Sequence, residues 1–386
     1  MNFDLDPAYA AIQDQARAFA REIEPIAVEA DEMSEVHPGV LDALRKSGLC
    51  HLMVPRHYGG IFEKPDPLAI CLVREVLMGT SAHADSLFAL QGIGSYAITV
   101  AGTQKQRERW LPRIAAADDL AALALTELET GSDLKALKTT VTPDGDCLRL
   151  TGEKSFISNA GAAALYLVLA REEEGHSLLL VPENSPGISI TPTPEIIAPH
   201  VLGEMRFDNV ELAADARLGE PGKGFSLVLA TLGVFRVSVA GAAVGLAQAA
   251  LDEALRHTNE RVQFGRPLSR LGAVSQMLAD CAVEIEMARL LTYKAACEAV
   301  NDPAASLHYS SMAKLAASEM AGRVTDRCVQ MMGRFGLVRE NKIERLYRQA
   351  RPMRIYEGAS EVLRESIAKQ LNQSIHQDLV DDRSGT

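Results

Sequence analysis

The sequence predicts an α+β fold that is mostly α: an N-terminal helical domain, a middle antiparallel β domain and a C-terminal four-helix bundle. Three observations carry this reading. Apolar residues recur at three- and four-residue intervals through the first third of the chain. Short strand-like runs separated by turn residues begin near Leu120. Long Ala- and Gly-rich helical patterns follow residue 225. The expected domains are 1–119, 120–224 and 225–373, with a flexible tail at 374–386.

The N-terminal domain opens at Asp6-Pro7, where Ala10, Ile12, Ala16, Phe19, Ala20, Ile23 and Ile26 line one face as far as Asp31. Further helices are expected at Pro38–Lys46, Pro67–Met78, Ser86–Ala101 and Gln104–Ala116, each bounded by Gly, Pro, Ser or Thr. Asp144-Gly145 between two apolar-alternating runs signals a hairpin. Strands are expected at 165–170, 177–182, 188–191 and 205–212. The Gly-rich connection 219–225 then leads into helices at Ser226–Thr258, Ser269–Val300, Ala304–Met332, Lys342–Gln349 and Ser360–Leu371.

Composition excludes several classes of function. Asp and Glu number 51 against 39 Lys and Arg, a net charge of −12 over 386 residues, which argues against a nucleic-acid partner because phosphate backbones need a basic face. The six cysteines lie far apart, as reduced core thiols do, and the histidines show no metal-ligand pairing, so no metal is expected. The acidic N-terminus lacks an apolar run, and no stretch approaches the roughly 20 apolar residues of a membrane span. A cytoplasmic location is therefore expected. Gln91-Gly-Ile-Gly-Ser-Tyr mimics a dinucleotide fingerprint, but it lies among helices without the strand that motif needs. Trp110 reads as core or interface.

Three separated stretches carry chemistry. They are L-T-E-L-E-T-G-S-D (125–133), G-E-K-S-F-I-S-N (152–159) with R-V-Q-F-G-R-P-L (261–268), and Q-M-M-G-R-F-G (330–336) with R-L-Y-R-Q-A-R-P-M-R-I-Y-E-G-A-S-E-V (345–362). In this order, on a helix–sheet–helix frame, the chain resembles the acyl-CoA dehydrogenase family of FAD enzymes from about Asp6 to Leu371. An isoalloxazine ring needs hydrogen bonds at its polar edge and a dry apolar face.

The resemblance implies that Leu125, Thr126, Gly131 and Ser132 hold the flavin and its pyrophosphate, with Ser132 also near substrate. Phe156 and Ser158 match the ring and hydroxyl beside the flavin, where Trp and Thr are commoner. Arg261, Phe264 and Leu268 match a segment that reaches a neighbouring subunit's FAD, the Arg on pyrophosphate. Gln330 and Gly333 match positions touching the same cofactor, so a homo-oligomer, tetramer or dimer, is implied. Ala359 and Glu361 are carried over as further cofactor positions.

Alone, Glu357 reads as a helix-start carboxylate. Within I-Y-E-G-A-S-E it falls on the family's catalytic base, which removes the α-proton of an acyl-CoA thioester while a β-hydride passes to flavin N5. Such a base must be desolvated and its pKa raised. Gly358 permits the sharp turn that aims it. Phe235 occupies the place where some relatives carry the base and cannot serve, and Arg236 beside it matches an Arg near the CoA chain. An electron-transferring flavoprotein is the implied acceptor.

The pattern departs at Leu128 (Pro is usual), Arg334 (Gly), Gln349 (Asp), Gly272 (Gln) and across 195–207. These departures leave the acyl group open. Small residues at Gly92, Gly94 and Ser95 leave room for a bulky one. An oxygen-using oxidase or monooxygenase on the same frame, a dehydrogenase of carrier-protein thioesters, and an acyl-CoA-binding protein without turnover are the competing readings.

Overall fold

The computed structural model describes residues 5–301, 306–339 and 341–384, with side chains through residue 373 apart from Asn301. The first domain consists of α1 (Pro7–Ile23), α2 (Ala27–Asp31), α3 (Pro38–Ser47), α4 (Pro67–Met78), α5 (Ala82–Ile93), α6 (Tyr96–Ala101) and α7 (Gln104–Ala115). Side chains fix where these helices begin: Asp6, Asp66 and Ser81 accept backbone N–H groups of the first turns of α1, α4 and α5, and Thr103 with Gln106 forms a capping box on α7. The helix expected at Ser86–Ala101 starts earlier and breaks after Ile93. Ser95 Oγ donates to the Gln91 carbonyl at 2.5 Å, drawing the chain out of helical register. Trp110 is buried in the core.

The middle domain is built from β1 (Ala121–Ala124), β2 (Thr140–Asp144), β3 (Cys147–Ser158), β4 (Leu165–Glu172), β5 (Gly175–Pro182), β6 (Ile188–Pro192), β7 (Leu202–Ala213) and β8 (Arg217–Leu218). Their order across the sheet is β6-β7-β3-β2-β4-β5-β8, with β1 beside β4. The hairpins pair antiparallel as expected, but β1 and β2 each pair with β4 in parallel. The intervening β2–β3 hairpin makes the connection long enough to return the chain in the same direction. The sheet is therefore mixed rather than wholly antiparallel.

The last domain holds α8 (Gly224–Glu260), a short hairpin of β9 (Val262–Gln263) and β10 (Arg266–Pro267), then α9 (Gly272–Asn301), α10 (Leu307–Met332), α11 (Lys342–Ala350) and α12 (Ser360–Ser384). Residues 302–305, at the expected start of α10, lie outside the described residues, as do 385–386 of the expected tail; the helix assignment runs on to Ser384. Helix α8 is the centre of the bundle. It is long and apolar enough to cross a membrane, yet 83% of its most apolar window is buried within the protein. Its glycines explain how tightly it packs: a Cβ on Gly245 would lie 1.8 Å from the Glu75 carbonyl oxygen of α4, and one on Gly241 2.7 Å from that of Cys71.

Two expectations change here. Gly92 and Gly94 do not leave open space: a Cβ on Gly92 would meet the Phe235 ring at 2.3 Å, and one on Gly94 would meet Ala121 at 2.7 Å. Phe235 is fully buried and packs edge-on against Tyr96, with ring centres 5.9 Å apart. Of the six cysteines, Cys50, Cys71, Cys281 and Cys328 are buried and Cys147 is half-buried, but Cys297 on α9 is exposed.

Candidate active site

Glu357 stands in the turn between α11 and α12, with a left-handed backbone at φ +51°, followed by Gly358 at +108°. The turn is clamped from the bundle. Arg236 Nε of α8 donates to the Glu357 carbonyl at 2.9 Å, and Nη1 donates to Ser311 Oγ of α10 at 3.0 Å. Lys314 Nζ of α10 donates to the Gly358 carbonyl at 2.6 Å. Both cations therefore grip backbone and leave the carboxylate free. Glu357 Oε2 is buried without a hydrogen-bond partner.

Burial raises the Glu357 pKa, with a smaller push from Asp85; Arg74, Arg236 and Lys314 pull it down. Arg74 and Asp85 form a buried bidentate pair at 2.9 and 2.6 Å, and Arg74 Nη1 also donates to Ser238 Oγ at 2.9 Å. The cation with the largest downward pull on Glu357 is thus paired with its own carboxylate. Lys314, desolvated, falls to about 8.

The first turn of α5 links this carboxylate to the sheet. Asp85 acts on Glu357, and Ser86, the next residue, has its Oγ 3.4 Å from His200 Nε2, which in turn lies 2.9 Å from Ser158 Oγ. Ser158 ends β3. Two residues earlier, Phe156 is turned outward by a left-handed backbone at φ +55° and is 47% exposed. The rim beside it is a tight 127–130 turn closed by reciprocal backbone bonds between Glu127 and Thr130. The Glu127 carboxylate accepts the Lys138 and Thr139 N–H groups and pairs with buried Lys154 at 3.0 Å, and Lys154 Nζ also donates to the Leu125 carbonyl at 2.8 Å. Burial drops Lys154 to about 8. This buried pair stiffens the Leu125–Ser132 edge from behind while Gly131 and Ser132 stay exposed.

The remaining expected residues divide in two. Arg261, Phe264, Gln330 and Gly333 gather at another, exposed end of the bundle. There Arg261 and Arg334 both stack on Phe335, at 5.5 and 5.0 Å, and Phe264 is 89% exposed at a hairpin tip. Leu268 starts the turn after that hairpin. Beside the Glu357 turn, Ala359 is half-buried, whereas Glu361 points outward and pairs with Arg364 at 3.9 Å. Sequence reasoning missed Lys314, Asp85, Arg74 and His200. Only Lys314 left a signal, as a lone cation within the Ala-rich face of α10.

The donor set between Leu125 and Ser158 consists of backbone amides and hydroxyls beside an outward ring, with Thr130 Oγ1 and Glu357 Oε2 buried and unpartnered. Uncharged donors and an aromatic rim fit the polar edge and face of a flavin.

Comparison with known proteins agrees with that chemistry. The N-terminal, middle and C-terminal domain models of acyl-CoA dehydrogenase match residues 6–118, 122–210 and 222–372. Cyclohex-1-ene-1-carbonyl-CoA dehydrogenase of Geobacter metallireducens is 38% identical, covering 89% of this chain and 92% of its own. The solved structure of butyryl-CoA dehydrogenase from Megasphaera elsdenii superposes with a TM-score of 0.91 at 31% identity, covering 96% and 100% of the two chains. An acyl-CoA dehydrogenase of Bacillus anthracis, solved with FAD, superposes at 0.89 with 27% identity, covering 97% of this chain and 69% of that one. The chain belongs to the acyl-CoA dehydrogenase family and is an FAD-dependent enzyme of that kind.

Proposed function

We propose that Glu357 is the base that removes the α-proton of an acyl-CoA thioester, so that the enzyme introduces an α,β-double bond. The observation carrying this is the buried, unpartnered Oε2 on a turn whose backbone is clamped by Arg236 and Lys314. A carboxylate raised by burial is a stronger base, and its Oε2 has no hydrogen-bond partner among the described residues. FAD, held along Leu125, Thr126, Gly131, Ser132, Phe156 and Ser158, would supply the acceptor for the β-hydride. Gly358 and Ser132 would border the thioester. Arg236 supports the base from behind, since its Nε and Nη1 donate to the Glu357 carbonyl and to Ser311 Oγ.

Electrons pass on to an electron-transferring flavoprotein in this reading; rapid oxygen consumption in place of acceptor reduction would favour the oxidase alternative. The exposed Arg261–Arg334–Phe335 stack supports a second contribution, to the cofactor of a neighbouring copy in a homo-oligomer. The test is anaerobic titration of the oxidised protein with a panel of acyl-CoAs, following flavin bleaching, alongside Glu357→Gln. Bleaching in the wild type and none in the variant is expected. Equal bleaching in both sinks the assignment, and no bleaching by any CoA ester with FAD bound points to a carrier-protein thioester.

A further inference from the structure

Three imidazoles run inward toward Ser158 in this fold. His37 Nδ1 accepts the Val40 N–H at 3.3 Å, and the His37 backbone N–H donates to His83 Nε2 at 3.0 Å. Each of these ring nitrogens faces a backbone donor, which fixes it as an unprotonated acceptor. His200 differs. Among the described residues its Nε2 meets the hydroxyls of Ser158, at 2.9 Å, and Ser86, at 3.4 Å. A hydroxyl both donates and accepts, so these partners suit a protonated or an unprotonated nitrogen equally.

We propose that His200 is a proton store for the flavin: it takes up one proton, at the end of its contact with Ser158, when the neighbouring ring is reduced. The proposal rests on the flavin lying against Ser158. A bound flavin that took up two electrons and one proton as hydride would carry a net negative charge. A proton from solvent then forms an N–H bond on the His200 imidazole, and the imidazolium, through Ser158, offsets that charge. His200 is a positioning residue, acting through Ser158.

The surroundings suit the task. Burial lowers His200 to about 4, and lowers His83 to about 4 with help from the charges of His200 and His37, so both rings are neutral near pH 7. The groups facing His200 are Ser158 from β3, Ser86 and His83 from α5, with His37 of α3 behind His83. From α11, Arg348 Nη1 holds the Ile197 carbonyl of the same loop at 3.3 Å. Asp85, next to Ser86 on α5, acts on Glu357. A new anion beside His200 raises its pKa, the direction proton uptake requires.

The experiment is a spectroelectrochemical titration of the FAD-loaded protein without acyl substrate, over roughly pH 5 to 7, between the low His200 pKa and the value a neighbouring anion would raise it to. Wild type, His200→Gln, His200→Leu and Ser158→Ala are compared. The wild type should take up about two protons per two electrons and the His200 variants about one, halving the slope of potential against pH. Gln keeps a hydrogen bond to Ser158 without titrating, so it carries the test if the Leu variant does not fold. Equal slopes in wild type and His200→Gln overturn the proposal. A flavin spectrum unmoved by Ser158→Ala overturns it differently, by removing the flavin from Ser158, while leaving the Glu357 titration untouched.

Discussion

Arg236 Nε donates to the backbone carbonyl of Glu357 at 2.9 Å and leaves the carboxylate alone. A guanidinium this close to a base would ordinarily form an ion pair and silence it. Here the planar donors are turned onto the peptide and onto Ser311, so the charge acts only through space. The turn gains rigidity, and the carboxylate feels the cation only as a through-space pull on its pKa, without a direct ion pair.

Arg236→Gln therefore separates two effects. Losing the Nε donor loosens the turn, and kcat should fall roughly tenfold to a hundredfold with a smaller change in KM. Losing the cation removes a charge that lowers the Glu357 pKa, so the acid limb of kcat should move to higher pH. A pH profile of kcat and KM decides it; an unmoved acid limb counts against through-space coupling.

Asp85→Asn should move the same limb the opposite way. Asp85 raises the Glu357 pKa and also neutralises Arg74, so its removal exposes the base to an unpaired cation. The variant should also lose about 3–5 kcal/mol of stability, because Arg74 stays buried without its partner. Denaturant unfolding and the pH profile measured on one preparation test both parts.

Gln349, one of the departures from the resembled pattern, donates from Nε2 to buried Asp31 at 2.9 Å. Asp31 also accepts from Ser81 Oγ and the His83 N–H and lies 3.1 Å from Arg345 Nε, so it joins α2, α5 and α11 behind the site. Gln349→Asp would set two carboxylates together and cost about 2–4 kcal/mol near pH 7. Such a carboxyl has its folded pKa raised above the unfolded value. Stability is then fullest below the unfolded pKa and falls as pH rises toward the folded one, so the deficit should shrink on acidification. A pH-independent deficit would refute the like-charge explanation.

Arg261→Ala should weaken FAD retention by roughly tenfold and make it more salt-sensitive, if the exposed stack on Phe335 meets a neighbour's pyrophosphate. The FAD-to-protein ratio after gel filtration at low and high salt measures this. Full retention in both buffers removes Arg261 from the cofactor site.

Much of this was legible because the signals are local. Pro67 to Met78 was bounded correctly by its proline and glycine, and Asp144-Gly145 announced the hairpin of β2 and β3. Glu357 and Gly358 were legible through the surrounding motif. The parallel β1 was not: Ala121–Ala124 carries no β-branched or aromatic signal, and its pairing depends on where β4 returns. Nor was the grip on Glu357, since Arg236 and its carbonyl partner lie 121 positions apart. His200 stayed hidden in a segment marked only by its departure from pattern. Gly92 misled, because a small residue permits either a cavity or a close contact, and Phe235 took the space.

The turn that carries Glu357 works against its own conformational preference. A side chain at φ +51° costs on the order of 1 kcal/mol, and an unpartnered buried carboxylate oxygen costs more. Glycine would relieve both. On the proposed role of Glu357, the most durable version of this chain is then one that has given up its base, and selection for heat resistance alone would drift toward an inert protein. Activity persists only where metabolism, rather than folding, judges the sequence.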